Sequence, residues 1–185
     1  MAARYSVTVP RRQTLPLLWL LSDARNDARL EAALAALPAG SGFVFRHYHL
    51  AEPARRARFA ALADHARARE HMVILAASPD CARDWGADGI YGAAAQVAGA
   101  SGLLRLATAH DGAEIQAAAA ARCDGLFLSP VFATRSHPGA RLLGIHGFHV
   151  LAQQSRVPVI ALGGMDAARA RALAWPRWGA IDGLA

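Results

Sequence analysis

The sequence predicts an α/β fold, a (β/α)8 barrel of the TIM type, in which eight parallel strands alternate with helices. Two observations indicate this fold. Eight short apolar runs recur along the 185 residues, and Ala-rich stretches of helical character separate them. Strands buried on both faces of a parallel sheet are continuously apolar rather than alternating. The count of eight favours a closed barrel over an open, doubly wound sheet.

The eight runs and the stretches between them give the expected elements in order. Strands are predicted at 17–21, 42–48, 72–76, 88–91, 103–107, 125–128, 157–162 and 180–184. Helices are predicted near 26–37, 53–69, 79–85, 111–122, 145–154 and 166–174. Two units are weak. Segment 92–102 is glycine-rich, which disfavours a full fourth helix. The sequence also stops directly after the eighth run, so a truncated eighth unit is expected.

The composition fits one domain spanning 1–185, shortened relative to the roughly 200–250 residues usual for such barrels. Hydrophobic residues make up 54% and charged residues 18%, which excludes disorder. No apolar run approaches the ~20 residues needed to cross a bilayer. The run at 15–21 is too short for a signal peptide and no small-residue cleavage site follows it. We therefore expect a cytoplasmic protein without a membrane partner.

The basic charge is carried entirely by arginine. Lys and Arg total 20, the sequence contains no lysine, and the net charge is +6. Such a balance suits phosphorylated ligands or nonspecific nucleic-acid contact. Much of it lies in segment 54–70, where Phe59, Leu62, Ala63 and Ala66 form an inward stripe. The arginines are thus predicted to form a solvated helix face, with nonspecific nucleic-acid binding as a weaker hypothesis and no specific nucleic-acid partner.

Cysteines and histidines give no sequence argument for a metal site. Cys81 and Cys123 lack the spacing of a disulfide framework or zinc site. His47 and His49 share one face of the second predicted strand, but the sequence shows no third ligand beside them. We therefore predict no metal-binding residues.

Five motifs occur in order along nearly the whole chain. They are LLWLLSD (17–23), GADGIY (86–91), LATAH (106–110), DGLFLSPVFATRSHPGARLLG (124–144) and VPVIALGGM (157–165). Together they resemble the strand-end signatures of the thiamine phosphate synthase and TenI family. The resemblance implies a barrel that joins a pyrimidine methyl diphosphate to a thiazole phosphate in thiamine biosynthesis and releases pyrophosphate. It also implies Mg²⁺ as a cofactor and small phosphorylated thiazole and pyrimidine ligands as partners.

The resemblance carries site residues over position by position, at the carboxyl ends of the strands, where such barrels place their chemistry. Candidate catalytic residues are Arg46, His110 and His137. Candidate substrate-binding residues are Tyr48, Thr108, Thr134, Arg135, Ser136, Gly163 and Gly164. The two glycines are expected to let backbone N–H groups approach a phosphate.

The sequence departs from the family pattern where Mg²⁺ is held. An Asn-Asp pair is replaced by Ala76 and Ala77, and a later Asp falls near Gln96. The usual Mg²⁺ ligands are thus absent, which puts catalysis in doubt. The sequence leaves open whether Asp23 or Asp80 replaces them.

Each candidate also has a structural interpretation. Arg46 could pair with Asp23, Thr134 and Ser136 could fix their own loop, and His110 could be an ordinary loop histidine. A noncatalytic or regulatory barrel that binds a phosphorylated ligand is therefore the alternative function. A TenI-type thiazole tautomerase is a weaker one, because Pro130 stands where that branch is expected to carry a histidine. The sequence leaves a homo-oligomer open.

Overall fold

A computed structural model describes residues 14–136 and 139–185. The strands are β1 Leu18–Leu21, β2 Gly42–Phe45, β3 Met72–Leu75, β4 Gly89–Ala93, β5 Leu104–Ala109, β6 Gly125–Leu128, β7 Val159–Ala161 and β8 Trp178–Ala180. The helices are α1 Leu30–Ala36, α2 Glu52–Arg67, α3 Pro79–Asp84, α4 Ala94–Val97, α5 Gly112–Ala120, α6 Gly144–Ala152 and α7 Ala167–Leu173. A short 3₁₀ turn, Asp27–Arg29, precedes α1.

The eight strands close into one parallel barrel in chain order. Each strand pairs with its sequence neighbours, and β1 pairs with β8 through Trp19 and Gly179. The predicted fold class is confirmed. The weak fourth unit is also seen, because α4 is only four residues long. None of the helices in the described part of the chain has the length and apolar character that a membrane span requires.

The barrel interior is filled by aromatic rings. Trp19 and Phe127 are fully buried and meet edge to face at 5.6 Å, and Tyr91 meets Phe127 in the same way at 5.3 Å. Gly42 provides the space for the Trp19 ring, because a Cβ atom at this position would overlap it. The second core lies between strands and helices. This arrangement leaves the carboxyl ends of the strands free to form a site.

Helix α2 follows the predicted pattern on its inner face but not on its arginine face. Phe59, Leu62, Ala63 and Ala66 are buried as expected. Arg55, however, donates through Nη2 to the carbonyls of Arg46 (2.9 Å) and Ala76 (2.8 Å). Arg58, Arg56 and Arg67 also have partners on neighbouring segments. The prediction of a solvated face is wrong for Arg55 and Arg58, which are partly buried because carbonyls and carboxylates of adjacent loops lie within their reach. Arg56 and Arg67 are exposed, as predicted.

The largest differences from the predicted strand boundaries are in β2 and β8. Strand β2 ends at Phe45 rather than at residue 48, because the backbone turns at His47, whose φ is +28°. Strand β8 covers Trp178–Ala180 rather than 180–184, since Trp178 pairs with Leu18 and Ala161. The apolar character of 180–184 is explained by a turn that packs at the end of the barrel rather than by a strand.

The cysteines are free thiols, as expected. Cys123 is buried and Cys81 is partly buried, and neither forms a disulfide. Burial raises the pKa of both thiols above the usual value. Both are therefore protonated and weakly nucleophilic at neutral pH.

Candidate functional site

A cavity of about 620 Å³ opens at the carboxyl ends of the barrel strands. Nine of the predicted site residues line it: Arg46, Tyr48, Thr108, His110, Thr134, Arg135, Ser136, Gly163 and Gly164. Strands β2, β5 and β7 and the loop between β6 and α6 deliver them. His137 lies outside the described residues. The structure thus brings together the candidates that it describes, while their roles stay predictions.

Arg46 is the most enclosed cation of the cavity, with a side chain only 14% exposed. Its Nη2 donates to Asp23 Oδ2 at 2.8 Å and its Nε to the carbonyl of Ser22 at 3.1 Å. The Ser22 hydroxyl accepts from the Arg46 backbone N–H at 2.8 Å. Pairing with Asp23, the structural alternative, is therefore present. This ion pair fixes the guanidinium at the cavity wall, and Arg46 still lines the cavity.

Tyr91 is a site residue that the sequence argument did not single out. It is buried on β4 and faces the same cavity as Arg46. Burial raises the pKa of Tyr91 to about 12, although the nearby charge of Arg46 acts in the opposite direction. The phenol therefore stays neutral and keeps its O–H as a donor. The motif GADGIY (86–91) and the end of the fourth predicted strand marked this position, but neither indicated a role for the phenol.

Three loops are joined by ion pairs at the rim of the cavity. Arg25 donates to Asp23 Oδ1 at 2.8 Å and to Ser136 Oγ at 2.8 Å. Asp182 Oδ2 lies 3.2 Å from Arg135 Nη2 and 3.5 Å from Arg25 Nη1. Arg25 and Asp182 were not predicted as site residues, because they are far apart in the sequence and no local pattern pairs them.

Positions 163 and 164 require glycine because of a close contact within the protein, and both residues also line the cavity. Their φ angles are +93° and +62°. A Cβ on Gly163 would lie 2.6 Å from Pro130 Cα, and one on Gly164 would overlap the Ala133 carbonyl. The close approach that demands glycine is thus that of the β6–α6 loop. Their N–H groups have no protein acceptor within the residues described, so they can still donate to a ligand.

Helix α7 adds a cation that the sequence argument also missed. Asp166 caps the helix by accepting from the Arg169 N–H at 2.8 Å. The Arg169 guanidinium donates to the Gly164 carbonyl at 2.5 Å and lies 5.4 Å from the centre of the Phe132 ring. The signal was present in the sequence, because an Asp before a helical stretch predicts an N-cap, and the residue three positions on follows from it.

The remaining polar candidates are oriented by their own segments. His110 Nδ1 lies 2.8 Å from Glu114 Oε2, and the His110 backbone N–H donates to the same oxygen at 2.6 Å. Thr134 Oγ1 accepts from the Ser136 N–H at 3.3 Å. The predicted alternative, that Thr134 and Ser136 fix their own loop, is thus partly seen. Tyr48 is mostly exposed at the cavity mouth.

The residues around the cavity do not fit a protein-held Mg²⁺. Ala76, which directly follows β3, has no side-chain ligand atom, and Gln96 Oε1 accepts from the Ala93 N–H at 2.9 Å. Asp23, Asp166 and Asp182 line this or the adjoining pocket, and each lies within 4.0 Å of an arginine nitrogen. Asp80 is 98% exposed on α3 and pairs with Arg83. Each of these carboxylates thus already pairs with an arginine of the chain. Asp182 Oδ1 is buried without a hydrogen-bond partner among the described residues, but one such oxygen does not make a ligand set for Mg²⁺.

Acidification is expected to remove the stabilisation that Asp23 provides. Partial burial raises the pKa of Asp23, but hydrogen bonds from Arg25 and the charges of Arg25 and Arg46 together hold it below the usual 3.8. Because the folded-state pKa is the lower one, the stabilisation is present above about pH 4 and is lost as the pH falls through the folded-state pKa. Urea unfolding at several pH values should show that Asp23→Asn destabilises the protein at pH 7 and progressively less below pH 4. The exposed Asp80→Asn is the control and should change little throughout.

A closed parallel barrel of eight strands with a cavity at their carboxyl ends is the architecture of TIM-barrel proteins. A model of the thiamine monophosphate synthase family matches residues 18–181. The chain therefore belongs to this family. No curated protein matches the chain.

Solved structures support the same fold. A thiamine phosphate pyrophosphorylase from Pyrococcus furiosus is similar with a TM-score of 0.77 and 21% identity, over 92% of this chain and 87% of that one. One from Bacteroides thetaiotaomicron has a TM-score of 0.58 and 13% identity, over 90% and 82%. FabK from Thermotoga maritima has a TM-score of 0.68 and 13% identity, over 91% and 58%. At these identities the structures show the fold alone.

Proposed function

We propose that this protein is a divergent thiamine phosphate synthase-type transferase of thiamine biosynthesis. It joins a pyrimidine methyl diphosphate to a thiazole phosphate and releases pyrophosphate. The observation that carries the proposal is the cluster of four arginines, Arg25, Arg46, Arg135 and Arg169, around one cavity and its adjoining pocket. Bidentate guanidinium groups suit phosphate oxygens. A cytoplasmic location is part of the same proposal.

The reaction needs charge stabilisation more than acid–base chemistry. The bond between the methylene carbon and the diphosphate oxygen breaks, and its electron pair leaves with pyrophosphate. The thiazole nitrogen then donates its lone pair to the carbon, which forms the new C–N bond. Arg46, with Arg25 and Arg135 at the rim, would stabilise the negative charge that develops on the leaving group. The free N–H groups of Gly163 and Gly164 would hold the second phosphate.

A noncatalytic barrel that binds a phosphorylated ligand is the second candidate. The observation that favours it is the alanine at position 76 together with the carboxylates already paired with arginine. This protein would bind thiamine phosphate or the thiazole phosphate without turnover and without dependence on Mg²⁺. The TenI-type tautomerase receives no such support, because Pro130, which lines the cavity, has no side-chain group that moves a proton.

Calorimetry followed by a pyrophosphate assay separates the two functions. Purified protein is titrated with the pyrimidine diphosphate, with and without Mg²⁺, and the thiazole phosphate is then added. Binding of both compounds followed by release of pyrophosphate and formation of thiamine phosphate is expected for the transferase. Binding of the thiazole phosphate alone, with no thiamine phosphate formed, would support the noncatalytic barrel. Binding of neither compound would contradict both.

A further inference from the structure

Three side chains with metal-ligand chemistry converge beside the cavity but outside it. A carboxylate oxygen of Asp27 and ring nitrogens of His47 and His49 all lie within 4.8 Å of one another. Asp27 begins the 3₁₀ turn after β1, and the two histidines follow β2. None of the three lines the cavity. Asp27 thus provides a third potential ligand beside His47 and His49, and it comes from a different loop.

His47 is fixed in the orientation that a ligand needs. It is buried, its ring stacks on Phe45 with centroids 4.6 Å apart, and its backbone has the unfavourable φ of +28°. Its Nδ1 lies 2.8 Å from Ser22 Oγ, and its Nε2 lies 2.8 Å from Asp27 Oδ1. Because a carboxylate only accepts, Nε2 donates to Asp27 in this structure and the Ser22 hydroxyl donates to Nδ1. The same hydroxyl can instead accept from Nδ1, so the ring proton can lie on Nδ1 and leave the Nε2 lone pair for an ion. A hydroxyl on the far nitrogen is the kind of outer partner that orients metal-binding histidines.

Asp27 is held by an outer partner as well. Its Oδ1 accepts from Arg58 Nε at 2.7 Å, and its carbonyl accepts from Arg58 Nη2 at 2.8 Å. Arg58 is in turn paired with Glu31. The Oδ2 atom of Asp27 has no hydrogen-bond donor among the residues described. Arg58 therefore positions the carboxylate and leaves an oxygen for a further cation, while Glu31 offsets its positive charge.

His49 supplies the solvent-facing ligand. It is exposed, its ring centroid lies 5.1 Å from that of His47, and it has no hydrogen-bond partner in the described segments. A ring that is free to rotate can close the set around an ion. Water can complete the coordination from the open side.

We propose that Asp27, His47 and His49 form a binding site for a divalent transition-metal ion such as Zn²⁺. Two imidazoles and one carboxylate, with a water in the fourth position, match the ligand types and number of tetrahedral zinc. The ion ties the loop after β1 to the loop after β2. Ser22, which contacts both His47 and the Arg46 N–H, connects this site to the wall of the cavity.

The test is metal binding by the chelator-treated full chain, measured by Zn²⁺ calorimetry and by the visible absorption of Co²⁺. The wild type is expected to bind one ion per chain. His49→Ala should weaken binding more than about 100-fold, since losing even an outer partner costs 10–100-fold. This substitution is at an exposed position, so the fold should be kept, which circular dichroism checks. NMR should show Co²⁺ broadening of the His47 and His49 ring signals in the wild type.

His146→Ala is the matched control, because His146 is an exposed histidine on α6, away from the cluster. It should bind Zn²⁺ as the wild type does. Wild-type protein that binds no Zn²⁺ would overturn the proposal. Equal binding by His49→Ala and His146→Ala would also overturn it, because the ion would then lie elsewhere. Neither readout depends on thiamine phosphate synthesis, so the proposed function can fail without affecting this result.

Discussion

Arg46→Gln is expected to weaken the binding of thiamine phosphate by at least about 100-fold, or about 2.7 kcal/mol. Arg46 is the most enclosed of the cavity's cations, and Asp23 and the Ser22 carbonyl hold its guanidinium in place. A charge-assisted contact from a preoriented and partly desolvated group contributes more than one from an exposed side chain. Glutamine keeps most of the length but loses the charge. Calorimetry with thiamine phosphate measures the effect.

Arg156→Gln is the control for this prediction. Arg156 is exposed in the segment before β7, at the end of the barrel opposite the cavity. Arg156→Gln removes one positive charge, as Arg46→Gln does. It therefore separates the loss of a local contact from the loss of general attraction between a basic protein and an anionic ligand. Affinity of Arg156→Gln should stay close to that of the wild type. An affinity of Arg46→Gln within threefold of the wild type would show that Arg46 only forms the structural ion pair with Asp23 and does not contact the ligand.

Gly42→Ala is expected to lower the free energy of unfolding by about 3 kcal/mol, at the upper end of the range for overpacked cores. The added methyl group would overlap the Trp19 ring. That ring is fully buried, and its Nε1 donates to the Pro16 carbonyl at 2.9 Å. The Phe127 ring, whose centroid lies 5.6 Å from that of Trp19, prevents the Trp19 ring from moving aside in that direction. Urea unfolding followed by tryptophan fluorescence measures the change.

Gly147→Ala provides a control of opposite sign. Gly147 lies inside α6, and a Cβ there would meet only Leu143 Cβ at an ordinary 3.8 Å. Alanine in a helix interior is expected to stabilise by roughly 0.5–1 kcal/mol. A loss below about 1 kcal/mol for Gly42→Ala would mean that the barrel interior can rearrange around Trp19, contrary to the close packing of protein interiors.

The sequence predicted the barrel because its signal is repeated. Each strand gives a weak apolar run, but eight such runs in alternation with helices restrict the fold to very few choices. The boundaries were less certain, since an apolar run does not show where pairing stops. The end of β2 depends on the turn at His47, and the position of β8 depends on pairing with Leu18. Both are set by tertiary contacts.

The candidate site was predicted where a motif marks a strand end and missed where a distant loop contributes. Arg46 and Gly163 follow strands and Thr108 lies near the end of β5; all three were predicted as site residues and line the cavity. Arg25 and Asp182 meet across the rim because the barrel closes between β1 and β8. No periodicity in one sequence encodes that meeting. Asp27 was missed beside His47 for the same reason, because the two come from different loops.

On the proposed function, the pairing of Asp182 with Arg135 and Arg25 affects how phosphate binding depends on salt. An incoming phosphate meets guanidinium groups that already hold an internal anion, so its arrival exchanges one counterion for another. Asp182 must then move away or remain close to a like charge. Added salt weakens the internal pair and the encounter with the ligand together, since both are exposed to the same screening. Affinity should therefore vary less with ionic strength than the number of arginines suggests.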